Sequence, residues 1–450
     1  MTTMQTQPQM TALPAAGRVL ARPSTSLAPR IVILGGGFAG VNTALELAKR
    51  CAGVLPVQVT LVSEHNFFLF TPMLAEAATG AVETRHVLYP IRPLCGPWGI
   101  EFGEMSVESV DLERRRLIAR HSRSPVRQQV HYDKLVLALG AAPNVAIAPG
   151  AAEHALTFKG VGDAVKIRNR VIDLFEAAAL TDDPWTRRRL LTFVVVGAGH
   201  AGTELMAALE ELTRGILLRH YPTIPPDSVR LVLVGSAILP QTATNLAQYT
   251  KERLLSRGIE LETTRAAKVS ADGLALQDGR LIESHCVIWT AGNQVSPVVA
   301  ALPLPKARDG RLLVNEFFEV QGVRDVYALG DNAAQTDPHT GQPYVATAQV
   351  ALRQARALAR QLEAELTGRE RPPFNFKVLG EMVPLSRHTA VADLSGMKLV
   401  GFPAWWIWKT VYMLKLPTLA SRLRVVLDWT VELFFERDVS ELTVDEAGGA

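Results

Sequence analysis

Two glycine-rich segments have the residue types and the spacing needed to hold a phosphorylated ligand. Each follows an apolar run and leads into a helical pattern. In a G-x-G-x-x-G segment of this kind the first glycine permits a tight turn, the second lets the backbone approach a pyrophosphate, and the third allows close helix–strand packing. The N-terminus of the helix supplies N–H groups and the positive end of its dipole. The first elbow is Gly35, Gly36, Gly37, Phe38, Ala39 and Gly40, and the second elbow is Gly197, Ala198, Gly199, His200, Ala201 and Gly202.

Two dinucleotide sites in one chain indicate a flavin and a nicotinamide, between which a hydride passes while the protein supplies orientation. We expect the first elbow to hold a non-covalent FAD and the second to receive NAD(P)H. NADH is the expected co-substrate, and NADPH is not excluded.

The strand that follows the first helix reads VQVTLVSEH and ends in polar residues. In this kind of fold an acid near the end of that strand binds a ribose hydroxyl. Glu64 is the candidate, and Ser63 is its rival because the end of the strand is uncertain by one residue. A third interpretation makes Glu64 a solvated loop acid.

Three later segments each look like a strand that stops against a cofactor, with glycine allowing close backbone approach. They end at Gly140, at Gly292 and at Gly330-Asp331. The carboxylate of Asp331 could accept a hydrogen bond from a ribityl hydroxyl, or it could cap a following helix. The sequence does not separate these two readings.

The composition suits two or three domains, since the chain has 450 residues of which 48% are hydrophobic. Its net charge of only +3 gives no reason to expect a nucleic-acid partner. The three cysteines, Cys51, Cys95 and Cys286, form neither a CxxC pair nor a metal-binding spacing, so no metal site is expected. Residues 1–29 lack the pattern of a secretory signal and predict a flexible tail. The sequence has no uncharged apolar run of about 18 residues, so no transmembrane helix is expected.

The C-terminal part combines tryptophans with apolar and cationic residues. Trp405, Trp406, Trp408 and Trp429 lie there, with Lys409 among the interleaved cations. Such a pattern favours a segment that lies in a membrane interface, with cations directed toward anionic lipid. A buried subdomain or a dimer interface is the alternative.

The order GGGFAG, LALG, GAGHAG, WTAG, LGDNA resembles the flavoprotein superfamily with two dinucleotide-binding domains. Within it the chain is most similar to the type II NADH:quinone oxidoreductases. Three segments carry this resemblance: HNFFLFTPMLAEAATG (His65 to Gly80), ATAQVALRQARALA (Ala346 to Ala359), and the tail from about Leu399 to Glu436. It covers roughly residues 30–436.

The resemblance implies an α/β fold with two Rossmann-like domains, the NAD domain being inserted in the FAD domain. The implied segments are 1–29 (flexible tail), 30–150 and 286–380 (FAD domain), 151–285 (NAD(P)H domain), 381–436 (interfacial region, contacting lipid through 398–436) and 437–450 (flexible tail). It further implies a peripheral enzyme on the cytoplasmic face of the cell membrane. This enzyme would pass a hydride to FAD and two electrons to a membrane quinone without pumping protons, and a homodimer is possible.

The resemblance also assigns residues. Gly35, Gly37, Gly40 and Asp331 match its FAD motifs, and Gly197, Gly199 and Gly202 match its nucleotide motif. Glu204 matches an acid near the nicotinamide–flavin contact; independently, its place in the first turn of a helix suits a carboxylate. Gln349 and Gln354 lie on the family's quinone-site helix, with Gln349 the better candidate because the two do not share a face. The FAD set is completed by Phe38, Ala39, Glu64, Gly140, Gly330 and Ala348, and the NAD(P)H set by His200, Ala201 and Gly292.

The sequence departs from the family at two places. Gly235 and Ser236 stand where an acid often binds the adenosine ribose, which leaves the choice between NADH and NADPH open. His200 stands where a smaller residue or proline is common. Two alternatives remain: a related flavoenzyme with another acceptor, of the ferredoxin/rubredoxin reductase or sulfide:quinone type, and a redox-sensing binder without turnover.

Overall fold

The computed structural model describes residues 28–378, 380–394 and 396–442. Its helices are α1 (Phe38–Cys51), α2 (Leu74–Ala78), α3 (Ile91–Cys95), α4 (Ala151–His154), α5 (Val161–Ala179), α6 (Pro184–Leu190), α7 (His200–Glu210), α8 (Leu218–His220), α9 (Thr244–Ser256), α10 (Pro297–Ala301), α11 (Ala348–Leu366), α12 (Phe402–Lys415) and α13 (Leu419–Phe434). A π-helical turn, Glu211–Leu217, joins α7 to α8.

The strands are short. They are β1 (Arg30–Leu34), β2 (Gln58–Ser63), β3 (Phe67–Leu69), β4 (Leu88–Pro90), β5 (Glu101–Glu104), β6 (Ser106–Asp111), β7 (Arg116–Arg120), β8 (Arg127–His131), β9 (Lys134–Leu137), β10 (Ala141–Pro143), β11 (Leu156–Thr157), β12 (Thr192–Val196), β13 (Arg230–Val234), β14 (Glu260–Glu262), β15 (Ala266–Ser270), β16 (Gly273–Leu276), β17 (Leu281–Glu283), β18 (Cys286–Trp289), β19 (Asn293–Val295), β20 (Leu312–Leu313), β21 (Val326–Ala328), β22 (Ala333–Ala334), β23 (Gly380–Ser386), β24 (Thr389–Leu394) and β25 (Met397–Gly401).

Two parallel sheets form the centre of the molecule. The first has the order β21-β9-β1-β2-β5, and the second has the order β11-β18-β12-β13-β14. Their central strands are continuous apolar runs that are buried along their length, RIVIL in β1 and TFVVV in β12, as expected where helices or other layers cover both faces. Each central strand leads directly into one of the two elbows. The predicted α/β class with two Rossmann-like sheets is confirmed.

The chain passes between the two sheets through one antiparallel ribbon, in which β10 pairs with β19. Everything that builds the second sheet lies between these two strands. The predicted domain boundaries at 150/151 and 285/286 therefore need correction. Ala148 and Ala151 pack with Val194 in the core of the second domain, and β18 pairs with β12, so the crossings fall at residues 141–143 and 293–295.

The C-terminal region begins with the sheet β23-β24-β25 and ends with α12 and α13. The sheet packs on the second domain, since Val383, Leu385 and Val391 share a core with Leu239 and Leu246. Several large apolar side chains of the two helices remain exposed: Phe402, Trp406, Leu414, Leu419, Leu423, Val426, Leu427, Val431 and Phe434. Among the described residues, no helix has both the length and the apolar character needed to cross a bilayer.

The predicted tails differ in outcome. Residues 1–27 and 443–450 lie outside the described residues. Residues 437–442, predicted to be flexible, are instead anchored on α5: Arg168 Nη2 donates to the Asp438 carbonyl at 2.5 Å, and Asn169 bonds the backbone of Leu442 in both directions. The polar side chains of α5 did not allow this contact to be predicted from the sequence.

Candidate active site

The first elbow has the backbone geometry that its glycines predict. Gly35 has a φ of +114°, and a Cβ built there would lie 2.0 Å from the Ala138 carbonyl oxygen. A Cβ at Gly40 would lie 1.9 Å from the Gly35 oxygen. Around Gly37, by contrast, no atom lies within 4 Å of the Cβ position. The turn and the packing thus exclude a side chain at two glycines, while the middle one faces open space beside the N-terminus of α1, where a pyrophosphate would fit.

The second elbow repeats this arrangement. Gly197 has a φ of +116°, and a Cβ there would lie 2.6 Å from Thr290 Oγ1. A Cβ at Gly202 would lie 1.8 Å from the Gly197 oxygen, whereas Gly199 has no atom within 4 Å of its Cβ position. Thr290 follows β18, and its hydroxyl lies 3.0 Å from the Val196 oxygen and 2.9 Å from the Gly197 oxygen, so it holds the turn from behind.

The ends of β9 and β21 meet at the first elbow. Gly140, in the left-handed region with a φ of +69°, has open space around its Cβ position. Asn332 is fully buried and bridges the loops, accepting from Leu139 N at 2.6 Å and donating to the Gly140 oxygen at 2.8 Å. Asp331 stays partly exposed, 3.6 Å from Lys159 Nζ. The helix-cap reading of Asp331 is wrong, because it lies within a 3₁₀ turn that leads into β22.

At the end of β2 the two rival residues lie differently. Ser63 is the last residue of the strand and is buried, and its Oγ lies 2.3 Å from where a Cβ of Gly36 would be. Glu64 is exposed, and its backbone oxygen accepts a bond from Ser122. Ser63 is therefore the residue that touches the elbow.

Helix α11 begins at Ala348, next to the cap residue Thr347, and packs against α1. Gln354 is 1% exposed: its Oε1 accepts from Gly330 N at 2.7 Å and its Nε2 donates to Gln335. Gln354 therefore positions the Gly330 turn. Contrary to the prediction, its amide is not available to a quinone. Gln349, one residue into the helix, is partly exposed.

An acidic pair and a lysine line one cavity between α2, α7 and α12. Burial raises the pKa of Glu204 to about 8 and that of Glu76 to about 7. Glu76 Oε2 is buried without a hydrogen-bond partner among the described residues. Burial lowers the pKa of Lys409, whose Nζ lies 4.8 Å and 4.2 Å from the ring centres of Trp405 and Trp429. Lys409, predicted to face lipid, thus turns inward, and acids with pKa values raised in this way are candidates for a functional site.

His200, the first residue of α7, acquires a definite partner. Its Nε2 lies 2.8 Å from Glu381 Oε2, on β23 of the C-terminal region. Burial on its own would lower the pKa of His200, but the hydrogen bond to Glu381 and the nearby Glu204 carboxylate raise it above the usual value. The imidazole therefore links the second elbow to the C-terminal region.

The second sheet leaves no room for an acid at the end of β13. A Cβ at Gly235 would lie 2.6 Å from Ala198 Cβ, inside the second elbow. Gly292, with a φ of +71°, ends the β18 loop beside Ile147. The departure seen in the sequence at Gly235 is thus enforced by packing.

The three cysteines are buried, and burial raises the pKa of each thiol, to about 11 for Cys95 and about 12 for Cys286. Reactive thiols have lowered pKa values and partial exposure. These cysteines therefore do not form a redox pair.

Sequence reasoning overlooked Asn332, Thr290 and Glu76. The first two stand inside motifs that carry the resemblance, LGDNA and WTAG, so membership of a motif was an available signal. Glu76 lies in the segment that carries the resemblance, but no spacing rule connects it to Glu204. Its role depends on the tertiary contact between α2 and α7.

Comparisons with known proteins agree with this architecture. The family model for pyridine nucleotide-disulphide oxidoreductases matches residues 29–355, and that for the NDH2 C-terminal domain matches residues 379–438. The chain is 31% identical to demethylphylloquinone reductase NdbB of Synechocystis over 90% of this chain and 96% of that protein. It is 30% identical to the type II NADH:quinone oxidoreductase Ndh of Mycobacterium tuberculosis, over 93% and 90%.

Among solved structures, NDH2 from Plasmodium falciparum in complex with NADH superposes with a TM-score of 0.84 at 21% identity, covering 92% of this chain and 99% of that one. At this identity the match shows the fold alone. The two family models and the two relatives show that the chain belongs to the pyridine nucleotide-disulphide oxidoreductase family and, within it, to the type II NADH:quinone oxidoreductases.

Proposed function

We propose that this chain oxidises NAD(P)H and reduces a membrane quinone by means of a non-covalent FAD, without pumping protons. The observation that carries the proposal is the pair of elbows: each ends a central parallel strand, and each leaves its middle glycine facing open space. Two such cradles in one chain suit two dinucleotides.

FAD would be held at the first elbow by Gly35, Gly37, Gly40, the N-terminus of α1 with Phe38 and Ala39, and the loops of Gly140, Gly330 and Asp331, with Ala348 at the start of α11. When bound, FAD supplies the acceptance of a hydride and the return of two electrons. The closeness of Ser63 Oγ to the elbow at Gly36 favours it over Glu64 as the ribose ligand. Flavin retained by the holoenzyme after dialysis decides between them: Ser63→Ala should lose severalfold more than Glu64→Gln.

The nicotinamide nucleotide would lie on Gly197, Gly199, His200, Ala201 and Gly202, with Gly292 at the neighbouring strand end. The steric exclusion of an acid at Gly235 removes the usual discrimination against a 2′-phosphate. We therefore expect NADH to be used and NADPH to be tolerated.

For the quinone we retain Gln349, whose amide can donate to a quinone carbonyl, and withdraw Gln354. Reduction of a quinone consumes two protons. A carboxylic acid whose pKa is about 8 is mostly protonated at neutral pH, so Glu204 can donate one, with Glu76 next to it in the same cavity.

The quinone would arrive from lipid that contacts α12 and α13. Exposed apolar side chains lie on α13 at spacings of three and four residues, at Leu419, Leu423, Leu427, Val431 and Phe434, which places them on one helix face. An apolar face of this kind suits an interfacial helix. The alternative is that this apolar face of α13 forms a homodimer interface. The proposal also places the protein on the cytoplasmic side of the cell membrane.

The test uses the purified holoenzyme. We expect a yellow protein that bleaches with NADH in stopped flow, more slowly with NADPH, and recovers its colour on addition of a soluble quinone. A flavin that bleaches but is reoxidised only by ferredoxin or rubredoxin would replace the quinone with another acceptor. A colourless protein, or a flavin that neither nucleotide reduces, would refute the proposal.

A further inference from the structure

A cavity of about 510 Å³ lies where the C-terminal end of α13 meets the second domain. Its walls come from the π-helical turn, α9, the β23–β24 turn and residues 434–437. Five arginines and three glutamates line it: Arg219, Arg253, Arg257, Arg387, Arg437, Glu211, Glu432 and Glu436. We call it the arginine cavity. A cavity of this size can hold a polar headgroup or a small ligand.

Arg437, which lines both this cavity and the cavity of Glu76 and Glu204, provides the clearest sign of a ligand site. Its side chain is only 7% exposed. Nε donates to Glu432 at 2.9 Å and Nη2 lies 2.8 Å from Glu211 Oε1, but Nη1 is buried without a hydrogen-bond partner among the described residues. An unpaired buried donor on a charged group is unfavourable, and a guanidinium edge suits the oxygens of a phosphoryl group.

Arg257 is paired with Glu210, and the other four arginines still outnumber the three glutamates of the cavity. Arg253 is exposed and no carboxylate among the described residues lies within ion-pair distance of it. Arg387 donates from its guanidinium to the backbone oxygen of Glu432 at 2.9 Å. Arg219 has only an exposed contact with Glu436, at 3.2 Å, and such pairs are weak. The cavity can therefore attract an anion.

The rim of the arginine cavity is apolar. Phe434 is 76% exposed and Phe435 is 69% exposed, and both line the cavity. Phe434 also ends the exposed apolar face of α13. An anionic head in the cavity would thus place attached hydrocarbon along that face, which is the arrangement that an amphiphile requires.

We propose that the arginine cavity binds the phosphate group of an anionic phospholipid and so fixes the end of α13 to the second domain. Recognition of a phosphoryl group follows from the arginines alone, while the lipid source rests on the proposed membrane contact of α12 and α13.

The test measures binding of the holoenzyme to vesicles by co-sedimentation. One set is pure phosphatidylcholine, and the other contains about a quarter phosphatidylglycerol. The test variant is Arg219→Gln/Arg253→Gln, which changes two exposed side chains and leaves Arg437 intact. The charge-matched control is Arg308→Gln/Arg324→Gln, at exposed positions of the first domain. Turnover with a soluble quinone, measured without vesicles, reports separately on the proposed function.

We expect the test variant to bind the anionic vesicles about tenfold more weakly than wild type, the control to change less than twofold, and neutral vesicles to show no difference. The Arg437→Lys variant keeps the charge but loses the planar edge, and it should weaken anionic binding while it still bleaches with NADH. If test and control variants lose binding equally, only the overall charge matters and the site is overturned. If millimolar glycerol phosphate raises the melting temperature of wild type but not of the test variant, and vesicle binding is unaffected, the cavity takes free phosphate and the lipid is overturned.

Discussion

The first and second elbows share their three spaced glycines, and two of the positions at which they differ are the first and fifth residues of the helix that follows. In α1 these two positions are Phe38 and Asn42, and in α7 they are His200 and Glu204. Phe38 packs edge-on against Phe68 at 4.8 Å, and Asn42 donates to the Phe38 oxygen at 2.8 Å. The side chains that follow the first elbow are thus held by local contacts, while those that follow the second elbow include two groups that can exchange protons.

This difference suits a permanent ligand at the first elbow and an exchanging one at the second. Aromatic packing and a satisfied amide stabilise one arrangement. At the second elbow, His200 pairs with Glu381 of the C-terminal region, and Glu204 is a buried acid with a raised pKa. The protonation of these two groups can change when a ligand binds. Substitutions at matched positions of the two elbows test this difference.

The middle glycines separate the two ligands. Gly37 and Gly199 have extended backbone angles and open space, so valine fits at either position without strain and blocks only the approach of a phosphate. Gly37→Val should purify without flavin. Gly199→Val should be yellow but bleach with NADH at least about 100-fold more slowly, since lost close contacts of a few kcal/mol reduce binding by such factors.

Gly162→Val, in open space on α5, is the control and should resemble wild type. Absorbance spectra and stopped-flow bleaching read all three variants. Loss of flavin in Gly199→Val would mean that the two elbows are not independent.

Replacing Glu204 by the residue of the first elbow tests the proton role. Glu204→Asn should keep its flavin and bleach with NADH within about threefold of wild type, yet be reoxidised by a soluble quinone about 100-fold more slowly, the usual contribution of a general acid. In wild type this reoxidation should fall as the pH rises through about 8, where Glu204 loses its proton; the variant should show no such step.

The matched change on the other helix, Asn42→Ala, should leave both half-reactions intact. A folded-state pKa above the ordinary value of 4.5 also means that the wild type loses stability relative to Glu204→Asn as the pH rises from about 4.5 to about 8. An unchanged pH profile of reoxidation in Glu204→Asn would exclude Glu204 as the donor.

The residues that hold each elbow from behind should differ in importance. Asn332→Leu leaves Leu139 N and the Gly140 oxygen without their partner, which costs about 1–3 kcal/mol, whereas Thr290→Val removes one hydroxyl donation worth about 0.5–1.5 kcal/mol. Urea-induced release of the flavin should therefore occur at lower denaturant in Asn332→Leu. The opposite order would show that the Asn332 bridge is not what holds the flavin loops.

Exchanging the first residue of α7 for its counterpart gives the smallest effect. The pKa of His200 is raised, so the pair with Glu381 stabilises the fold fully below about pH 6.5 and loses this contribution as the pH rises through the raised value. His200→Phe should remove that step from the pH dependence of the melting temperature, and NADH affinity should fall by only about threefold at pH 6.

Glu381→Gln is the matching change on the partner and should remove the same step. If the melting temperature of wild type shows no step above the ordinary histidine pKa of about 6.5, the pair of His200 with Glu381 does not raise the pKa of the imidazole.

The glycine spacing was sufficient to predict both central strands, both helices and both turns, because each of those constraints is local. The positions of the domain crossings were not predictable. The segment CVIW of β18 has the same apolar character as LVL of β9, and only sheet pairing tells which domain it joins. Likewise, the alternation of Trp and Lys in α12 identified an unusual surface but could not show that Lys409 and Trp408 turn inward.

At the level of the site, the glycines of both motifs lie in the two elbows, but the chemistry of the residues around them was less predictable. Gln354 was assigned to the quinone through the resemblance, but it is buried and its Oε1 instead accepts a hydrogen bond from the Gly330 N–H at 2.7 Å. The pKa of Glu204 depends on what α2 and α12 bring around it, which no spacing within α7 encodes.

The ribbon of β10 and β19 has an evolutionary consequence. Ala141 lies opposite Val295 and Pro143 opposite Asn293, so the chain leaves the first domain and returns to it at points about 5 Å apart. A short turn across those ends would restore an uninterrupted first domain, and a different module could be accepted there without lengthening any loop. The second domain is thus inserted at a single place in the first. Gene rearrangements that replace the second domain, and with it the electron donor, could leave the sequence of the flavin domain unchanged.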